Sequence, residues 1–134
     1  MPRDRAVLAD MDRAARLALR FTADHDLDTF QSDPKTQAAV LHELLVLGEA
    51  AKRLSAAFRA DHPKVPVRAL AGMRDKLIHA YDAVDLHQVW RTVGRDLPAC
   101  SKRSILCCRP STPRELSRLV RRAGGRRAFV RALG

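Results

Sequence analysis

The helical periodicity of the apolar residues constrains the fold of this chain more than any other feature. From residue 3 to residue 97, apolar side chains recur every three or four positions, the spacing that lines one face of an α-helix. The alternation of apolar and polar residues that is typical of a half-buried strand forms no competing pattern. The sequence therefore predicts an all-α bundle of about four helices with short connections.

Capping signals and breaks predict the limits of the first two helices. The first helix is predicted over residues 3–24, and the polar segment 25–32 is predicted to be a linker. The Asp-Pro pair at 33–34 predicts a helix start, because Asp can cap and Pro suits the first helical position. This second helix is predicted to end near Ala60. Gly48 lies in its middle, where a glycine often marks the close approach of another helix.

The third and fourth helices are predicted in the same way. A helical stretch covers residues 67–81 and is broken by the polar residues that follow it. Asp85 and Gln88 read as a capping box that begins the last helix. Pro98 either weakens this helix or lies within a helix that continues toward Cys108.

The net charge of +10 is unevenly distributed along the chain. Residues 1–100 hold 15 Lys/Arg and 14 Asp/Glu, a net charge of +1, whereas residues 101–134 hold 10 Lys/Arg and only Glu115, a net charge of +9. We therefore divide the chain into a helical bundle, residues 1–108, and a basic tail, residues 109–134. The tail is either a pair of short basic helices or a mostly disordered arm, so bulk charge does not argue for nucleic-acid binding by the bundle.

The three cysteines favour neither a disulfide framework nor a zinc site. Cys100, Cys107 and Cys108 are odd in number and lack a CxxC or Cys/His ligand spacing. We interpret them as reduced thiols, and we expect no metal site. No stretch of 18 apolar residues and no apolar leader segment is present, so we expect a cytoplasmic protein that does not enter a membrane.

One segment combines residues that could perform chemistry on RNA. Arg74, His79 and Tyr81 lie within eight positions. Arginine offers a fork of donors that suits phosphate oxygens, and histidine can move a proton near neutral pH. His79 could exchange a proton with the ribose 2′-hydroxyl or the leaving oxygen, while Arg74 stabilises charge on the phosphate. Taken alone, these residues could equally be a surface arginine, a histidine at a helix end and a packing aromatic.

The spacing of Arg74 and His79 raises a geometric difficulty. Residues five apart diverge by about 140° around an ideal helix. The two side chains converge only if the helix loosens near His79, as the break at Asp82 would allow, or if a second subunit supplies the facing wall. Arg74 and Tyr81 are seven apart and are predicted to share a face.

The segment resembles the motif of a known family. Arg74-x4-His79-x-Tyr81 matches the R-x4-H-x-Y motif of the HepT-like toxins, a branch of the HEPN superfamily. The string from Gly48 to Arg53 is similar to the Gly-Glu-Ala segment of their preceding helix, and residues 78–82 and 89–93 are also typical of the family. The resemblance covers roughly residues 3–99.

The resemblance implies a HEPN-type helical bundle and a specific function. Members are ribonuclease toxins of type VII toxin–antitoxin modules, and they form homodimers whose cleft is lined by both motifs. It implies metal-independent RNA cleavage with Arg74 and His79 as catalytic residues, without a cofactor. It also implies a partner, a minimal nucleotidyltransferase antitoxin of the MntA type, which uses ATP to transfer AMP onto Tyr81. We assign supporting roles to Asp75 and Glu49, the latter chiefly as a structural helix residue.

The C-terminal sequence departs from the family pattern. Relatives usually continue the last helix with apolar residues, whereas here Cys100-Ser-Lys-Arg-Ser leads into the basic tail. A change of reading frame or an acquired basic arm would explain this. Two alternative functions therefore stay open: a non-catalytic module that binds a nucleotide or a partner, and a toxin that has decayed through its altered C-terminus.

Overall fold

The computed structural model describes residues 2–100 of the chain. The predicted boundary between the bundle (1–108) and the tail (109–134) lies outside the described residues. So do Cys107, Cys108 and the predicted tail helices.

The described residues form six α-helices and one 3₁₀ turn, and no strand occurs among them. The helices are α1 (Pro2–Thr22), α2 (Leu27–Gln31), α3 (Pro34–Lys52), α4 (Ala56–Asp61), α5 (Val67–His79) and α6 (Leu86–Arg95), and the 3₁₀ turn is Pro98–Cys100. Four of the helices (α1, α3, α5 and α6) are long, which confirms the prediction of an all-α bundle of about four helices.

The core forms around α3, which packs extensively against both α1 and α5. Asp4 at the start of α1 is buried and accepts hydrogen bonds from the backbone N–H (2.9 Å) and the hydroxyl (2.7 Å) of Ser55. The start of α1 therefore lies beside the end of α3. The largest fully buried side chains are Val7, Met11, Phe30, Val40, Leu44, Leu47, Leu70, Val89, Leu97 and Cys100.

The segment predicted to be a linker, residues 25–32, contains a helix, so that prediction was wrong. Asp26 caps α2 by accepting from the backbone N–H of Thr29 (2.8 Å), while the Thr29 hydroxyl accepts from the N–H of Asp26 (2.9 Å). Phe30 is fully buried and its ring centre lies 5.3 Å from that of Trp90. A reciprocal cap and one anchored aromatic residue are thus enough to order a single turn.

The second helix was predicted to run to about Ala60, and this was wrong as well. It ends at Lys52, and Ser55 caps the separate helix α4 by accepting from the N–H of Phe58 (3.1 Å). Arg59 on α4 donates to the carbonyl of Lys52 at 3.0 Å, which satisfies an acceptor left open at the end of α3. A side-chain cap within an apolar stripe therefore divides one periodic segment into two helices.

The predicted cap residues Asp33 and Asp85 are confirmed, whereas the predicted capping box at α6 is not: among residues 2–100 the Gln88 side chain donates no hydrogen bond back to Asp85. Asp33 accepts from the backbone N–H groups of the two residues that follow Pro34, and Asp85 accepts from the N–H of His87 (3.0 Å) and of Gln88 (3.3 Å). Helix α6 ends at Arg95, so it does not continue as one helix toward Cys108.

Cys100 ends the described part of the chain as a free, buried thiol. Its Sγ donates to the carbonyl of Asp96 (3.2 Å), and burial raises the pKa of the thiol to about 12. Among residues 2–100, no helix is both long enough and apolar enough to cross a membrane.

Candidate active site

Helix α5 approaches α3 so closely at Gly48 that only a glycine fits there. A Cβ atom added at Gly48 would overlap the Cβ of Arg74 and would lie 2.9 Å from the carbonyl oxygen of Leu70. The close approach predicted from a mid-helix glycine is therefore confirmed. As a result, the side chain of Arg74 leaves α5 directly against the surface of α3.

The Arg74 guanidinium is held by two carboxylates. Its Nε atom pairs with Oε1 of Glu49 on α3, and its Nη1 atom donates to Oδ1 of Asp75 at 3.0 Å. Lys52 donates to the same Asp75 oxygen at 2.6 Å, so two cations and two anions form one network. The Arg74 side chain is only 24% exposed. Among the described residues its Nη2 atom has no recorded partner, which leaves two N–H donors for a ligand.

Asp75 is the centre of this network. Hydrogen bonds from Lys52 and then from Arg74 lower the pKa of its carboxyl group below the usual value. Because the carboxylate is already paired with two cations, it stays charged at pH values where an isolated aspartate would become protonated. The structure thus brings together Arg74, Asp75 and Glu49, all three of which the sequence had nominated.

Lys52 is a member of the network that sequence reasoning missed. It lies three residues after Glu49 on α3, a spacing that places both side chains on one side of the helix. Asp75 is 23 positions further along the chain, however, and no sequence pattern connects the two. The only available signal was the charged pair Glu49 and Lys52 beside Gly48.

His79 is the last residue of α5 and is exposed to solvent. Its ring forms no recorded hydrogen bond or ion pair with residues 2–100. The backbone N–H of Ala80 still donates to the carbonyl of Lys76 (2.9 Å), so the helical ladder is regular through this turn. Helix α5 stays regular up to His79 and ends there, with Ala80 outside the helical conformation, so the break lies nearer to His79 than the predicted break at Asp82. On a regular helix Arg74 and His79 lie about 140° apart around the axis.

Tyr81 lies beyond the end of α5, contrary to the prediction of a helix through residue 81. Ala80 leaves the helical conformation (φ −136°, ψ 44°), and Tyr81 is 82% exposed. Tyr81 therefore does not share a helix face with Arg74, nor is it a packing aromatic. Its phenol is open to solvent two positions after His79.

Between residues 2 and 100, no three His, Cys, Asp or Glu side chains are grouped closely enough to hold a metal ion. The chemistry available at this site comes from a fixed guanidinium, an exposed imidazole and an exposed phenol.

Comparison with known proteins places the chain in a family. The model of the family described as "Ribonuclease HepT-like" matches residues 11–104, well over half of the chain. This protein belongs to the HepT-like ribonuclease family. The resemblance recognised from the motif is therefore confirmed. All five nominated residues lie within the matched span.

Relatives of the family occur in archaea and bacteria. The chain is 44% identical over 92 residues to "Probable ribonuclease HepT" of Thermococcus cleftensis, an alignment that covers 69% of this chain and 84% of the relative. It is 40% identical over 84 residues to a "Putative RNase" of Methanocaldococcus jannaschii, with 63% of this chain and 72% of the relative covered. A "Putative RNase" of Caldanaerobacter subterraneus is 41% identical over 75 residues, with 56% and 67% covered. No solved structure matches the chain.

Proposed function

We propose that this HepT-like chain is a metal-independent endoribonuclease that acts in the cytoplasm as the toxin of a type VII toxin–antitoxin module. The observation that supports the nuclease most directly is the construction of α5. This helix holds Arg74 in a fixed ion network and presents His79 to solvent without a bonding partner. The family and the names of its relatives favour RNA as the substrate.

The proposed reaction is an internal transesterification. His79 removes the proton from a ribose 2′-hydroxyl, and the 2′-oxygen attacks the adjacent phosphorus. The bond from phosphorus to the 5′-oxygen breaks, and that oxygen leaves as a hydroxyl after accepting a proton from water or from the protonated His79. The products are a 2′,3′-cyclic phosphate and a free 5′-hydroxyl. Arg74 stabilises the charge that builds on the phosphate oxygens through its free Nη2 donors.

Incubation of the purified protein with total RNA in EDTA, beside the His79→Ala variant, tests this chemistry. Cleavage by the parent protein alone, with 2′,3′-cyclic phosphate ends, is the expected result. Cleavage that requires an added metal ion, or that survives His79→Ala, would show that the mechanism is wrong. A folded protein that binds RNA or a nucleotide without cutting RNA would favour the alternative of a non-catalytic binding module.

We propose that the working unit is a homodimer in which Arg74 of one protomer faces His79 of its partner. The support is geometric, because α5 stays helical through His79 and the two side chains diverge by about 140° within one protomer. A two-fold axis beside the end of α5 would bring two such helices together and form two composite sites.

Mixing two inactive variants tests the shared site. An Arg74→Ala protomer paired with a His79→Ala protomer retains one composite site with both residues intact. Since about half of randomly paired dimers are mixed and each has one of two sites, the mixture should recover about a quarter of the parental activity. If each protomer instead used its own Arg74 and His79, the mixture would stay inactive.

We propose that Tyr81 is the site at which a partner silences the enzyme. The partner is a minimal nucleotidyltransferase antitoxin of the MntA type. The Tyr81 hydroxyl would attack the α-phosphorus of ATP, pyrophosphate would leave, and AMP would remain on the oxygen. The 82% exposure of Tyr81 supports this, since the phenol is accessible to another protein. The added phosphate would repel RNA beside His79.

Incubation with such an antitoxin and ATP, followed by mass spectrometry, tests the modification. The parent protein should gain AMP on Tyr81 and lose RNA cleavage. Tyr81→Phe should keep cleavage and resist both changes. Modification elsewhere in the chain, or modification without loss of cleavage, would contradict this part of the proposal.

A further inference from the structure

A basic groove lies between α5 and α6, away from the Arg74 network. It encloses about 330 Å³ and carries four cations, two on α5 and two on α6. We call it the α5–α6 groove. Its lining residues are Arg68, Ala69, Gly72, Met73, Lys76, Gln88, Arg91, Thr92, Arg95 and Asp96.

The cations of this groove are largely unpaired. Among residues 2–100, no carboxylate lies within ion-pair distance of Arg68, Lys76 or Arg91, and all three side chains are exposed. Arg95 lies 3.6 Å from Asp96, but it is 81% exposed and gains little from this contact. Arg74, by contrast, contacts two carboxylates. The groove therefore presents positive charge that the fold itself does not neutralise.

The charge of the groove stands out from that of its surroundings. Four cations and one carboxylate give the groove a net charge of +3, whereas residues 1–100 together carry +1. The rest of that region is thus at −2. A concave surface with a net positive charge beside a mildly acidic remainder of residues 1–100 attracts anions.

The floor of the groove is open at Gly72. A Cβ atom added there would meet nothing within 4 Å, in contrast to Gly48. Packing within the chain therefore does not require a glycine at this position. The absence of a side chain, together with the small Ala69 beside it, leaves room on the floor for a polymer backbone.

The groove is aligned with the proposed catalytic histidine. Arg68 and His79 are eleven residues apart, which separates them by only about 20° around an ideal helix and by about 16 Å along it. Lys76 lies between them along the helix axis, about 80° from Arg68 and about 60° from His79 around it, on the side that lines the groove. An extended strand that follows the groove from Arg68 past Lys76 would therefore reach His79.

We propose that the α5–α6 groove binds phosphates of the substrate RNA on one side of the cleaved bond. This inference rests on the proposed ribonuclease function and adds a positioning surface to it. Arginine and lysine side chains around an open floor bind the sugar-phosphate backbone without reading bases. The groove therefore fixes the register of the strand at His79 and does not select its sequence.

The test measures RNA binding by the full-length chain in the His79→Ala background, which should bind RNA without cutting it. A fluorescein-labelled single-stranded RNA is titrated at several salt concentrations, with and without the pair Arg68→Gln and Arg91→Gln. Loss of two phosphate contacts should lower the slope of log Kd against log salt by about 1.4 and weaken binding roughly tenfold or more at 0.1 M salt. The basic residues 101–134 are present in every variant, so their contribution cancels.

The matched control removes two positive charges elsewhere on the bundle. Arg5→Gln with Arg20→Gln removes the same net charge at two exposed arginines of α1 that form no ion pair with residues 2–100. If both pairs weakened RNA binding equally, the effect would come from the net charge of the protein and not from the groove, and the inference would be overturned. No weakening by the groove pair would overturn it too, and would leave an acidic protein surface as the occupant to examine.

A second pair of variants changes charge within the groove at constant size. Gly72→Gln and Gly72→Glu place side chains of one shape on the open floor, where their Cβ atoms meet no other atom within 4 Å. Gly72→Glu should bind RNA at least fivefold more weakly than Gly72→Gln. Equal affinity would show that phosphates do not bind there.

Cleavage assays separate this inference from the function on which it rests. With His79 intact, the groove pair should raise KM for long RNA and leave kcat and the cleavage of a dinucleotide unchanged. A parent protein that cuts no RNA would refute the nuclease while the binding comparison could still be made. A parent that cuts RNA with no change of KM in the groove pair would refute the groove alone.

Discussion

The two ends of the motif on α5 differ sharply in how they are built. The turn that carries Arg74 is packed against Gly48 and held by Glu49 and Asp75, whereas the turn that carries His79 is exposed and forms no recorded bond to residues 2–100. The fold of one protomer thus completes the half of the site that would stabilise a phosphate. In the proposed mechanism, the half that transfers a proton is completed by the substrate or by a second protomer.

The largest expected effect is a loss of RNA cleavage without a loss of stability when His79, at the exposed end of the motif, is replaced. His79→Ala should lower RNA cleavage by about 100-fold or more, the usual contribution of a general acid or base. Its melting temperature should be unchanged, because the exposed ring forms no hydrogen bond or ion pair with residues 2–100 that unfolding would break. Both are measured on the same sample, by a cleavage time course and by thermal unfolding. His42→Ala, which alters another exposed histidine, should cleave as the parent does, and a loss of activity there would contradict the assignment.

The next effect appears at the packed end and should be one of stability. Gly48→Ala forces a methyl group against Arg74 and should destabilise the protein by about 1–3 kcal/mol in urea unfolding, although alanine is the better helix former. Gly72→Ala is the matched control. It should stabilise by up to about 1 kcal/mol, since its methyl group enters open space. Equal effects at the two glycines would mean that the α3–α5 contact is looser than the structure indicates.

A smaller effect is expected when one carboxylate that holds Arg74 loses its charge. Glu49 is 54% exposed, so Glu49→Gln should change the free energy of unfolding by less than about 1 kcal/mol. Cleavage should fall by about three- to fivefold, because the guanidinium keeps only Asp75 as an anionic partner. Glu49→Asp should restore part of the loss, which a merely structural role would not predict. Glu43→Gln, on the same helix, should have no effect.

The smallest expected effect is a shift in the pKa of the Asp75 carboxyl group. Lys52→Met removes the main cause of the lowered pKa of Asp75, so the pKa of that carboxyl group should rise toward 3.8. The midpoint can be followed by NMR of the side-chain carboxyl carbon. Because the folded pKa is depressed, the stabilisation from this group is complete above the unfolded value and is lost as pH falls through the folded value. An unchanged midpoint in Lys52→Met would show that Arg74 alone holds the carboxylate.

The bundle was largely predictable because its signals are local. Apolar spacing identified the long helices, and Asp33 and Asp85 marked two of their starts correctly. The errors at residues 25–32 and near Ser55 have one physical cause. A polar side chain that accepts hydrogen bonds from nearby backbone N–H groups can begin a new helix within three residues. Apolar periodicity does not reveal such a cap, because the spacing of apolar residues is the same on both sides of it.

The members of the candidate site could be proposed from the sequence, but their arrangement could not. Residue chemistry and motif spacing nominated Arg74, His79 and Tyr81, and a mid-helix glycine indicated that α3 meets another helix. The partners of Arg74 and the role of Lys52 depend on which turns of α3 and α5 come into register. The α5–α6 groove likewise joins cations from two helices separated by a connection. Such arrangements arise from packing between segments that are distant in the sequence, and no periodic pattern in the sequence predicts them.

The exposure of Tyr81 has a practical consequence for spectroscopy. Tyr81 is the only tyrosine of the chain, and Trp90, half-buried beside Phe30, is the only tryptophan. The two chromophores therefore observe different parts of the molecule without any engineered label. Phenol-specific reagents and tyrosine absorbance would monitor the surface next to His79, while tryptophan fluorescence would monitor the docking of α6 on the bundle.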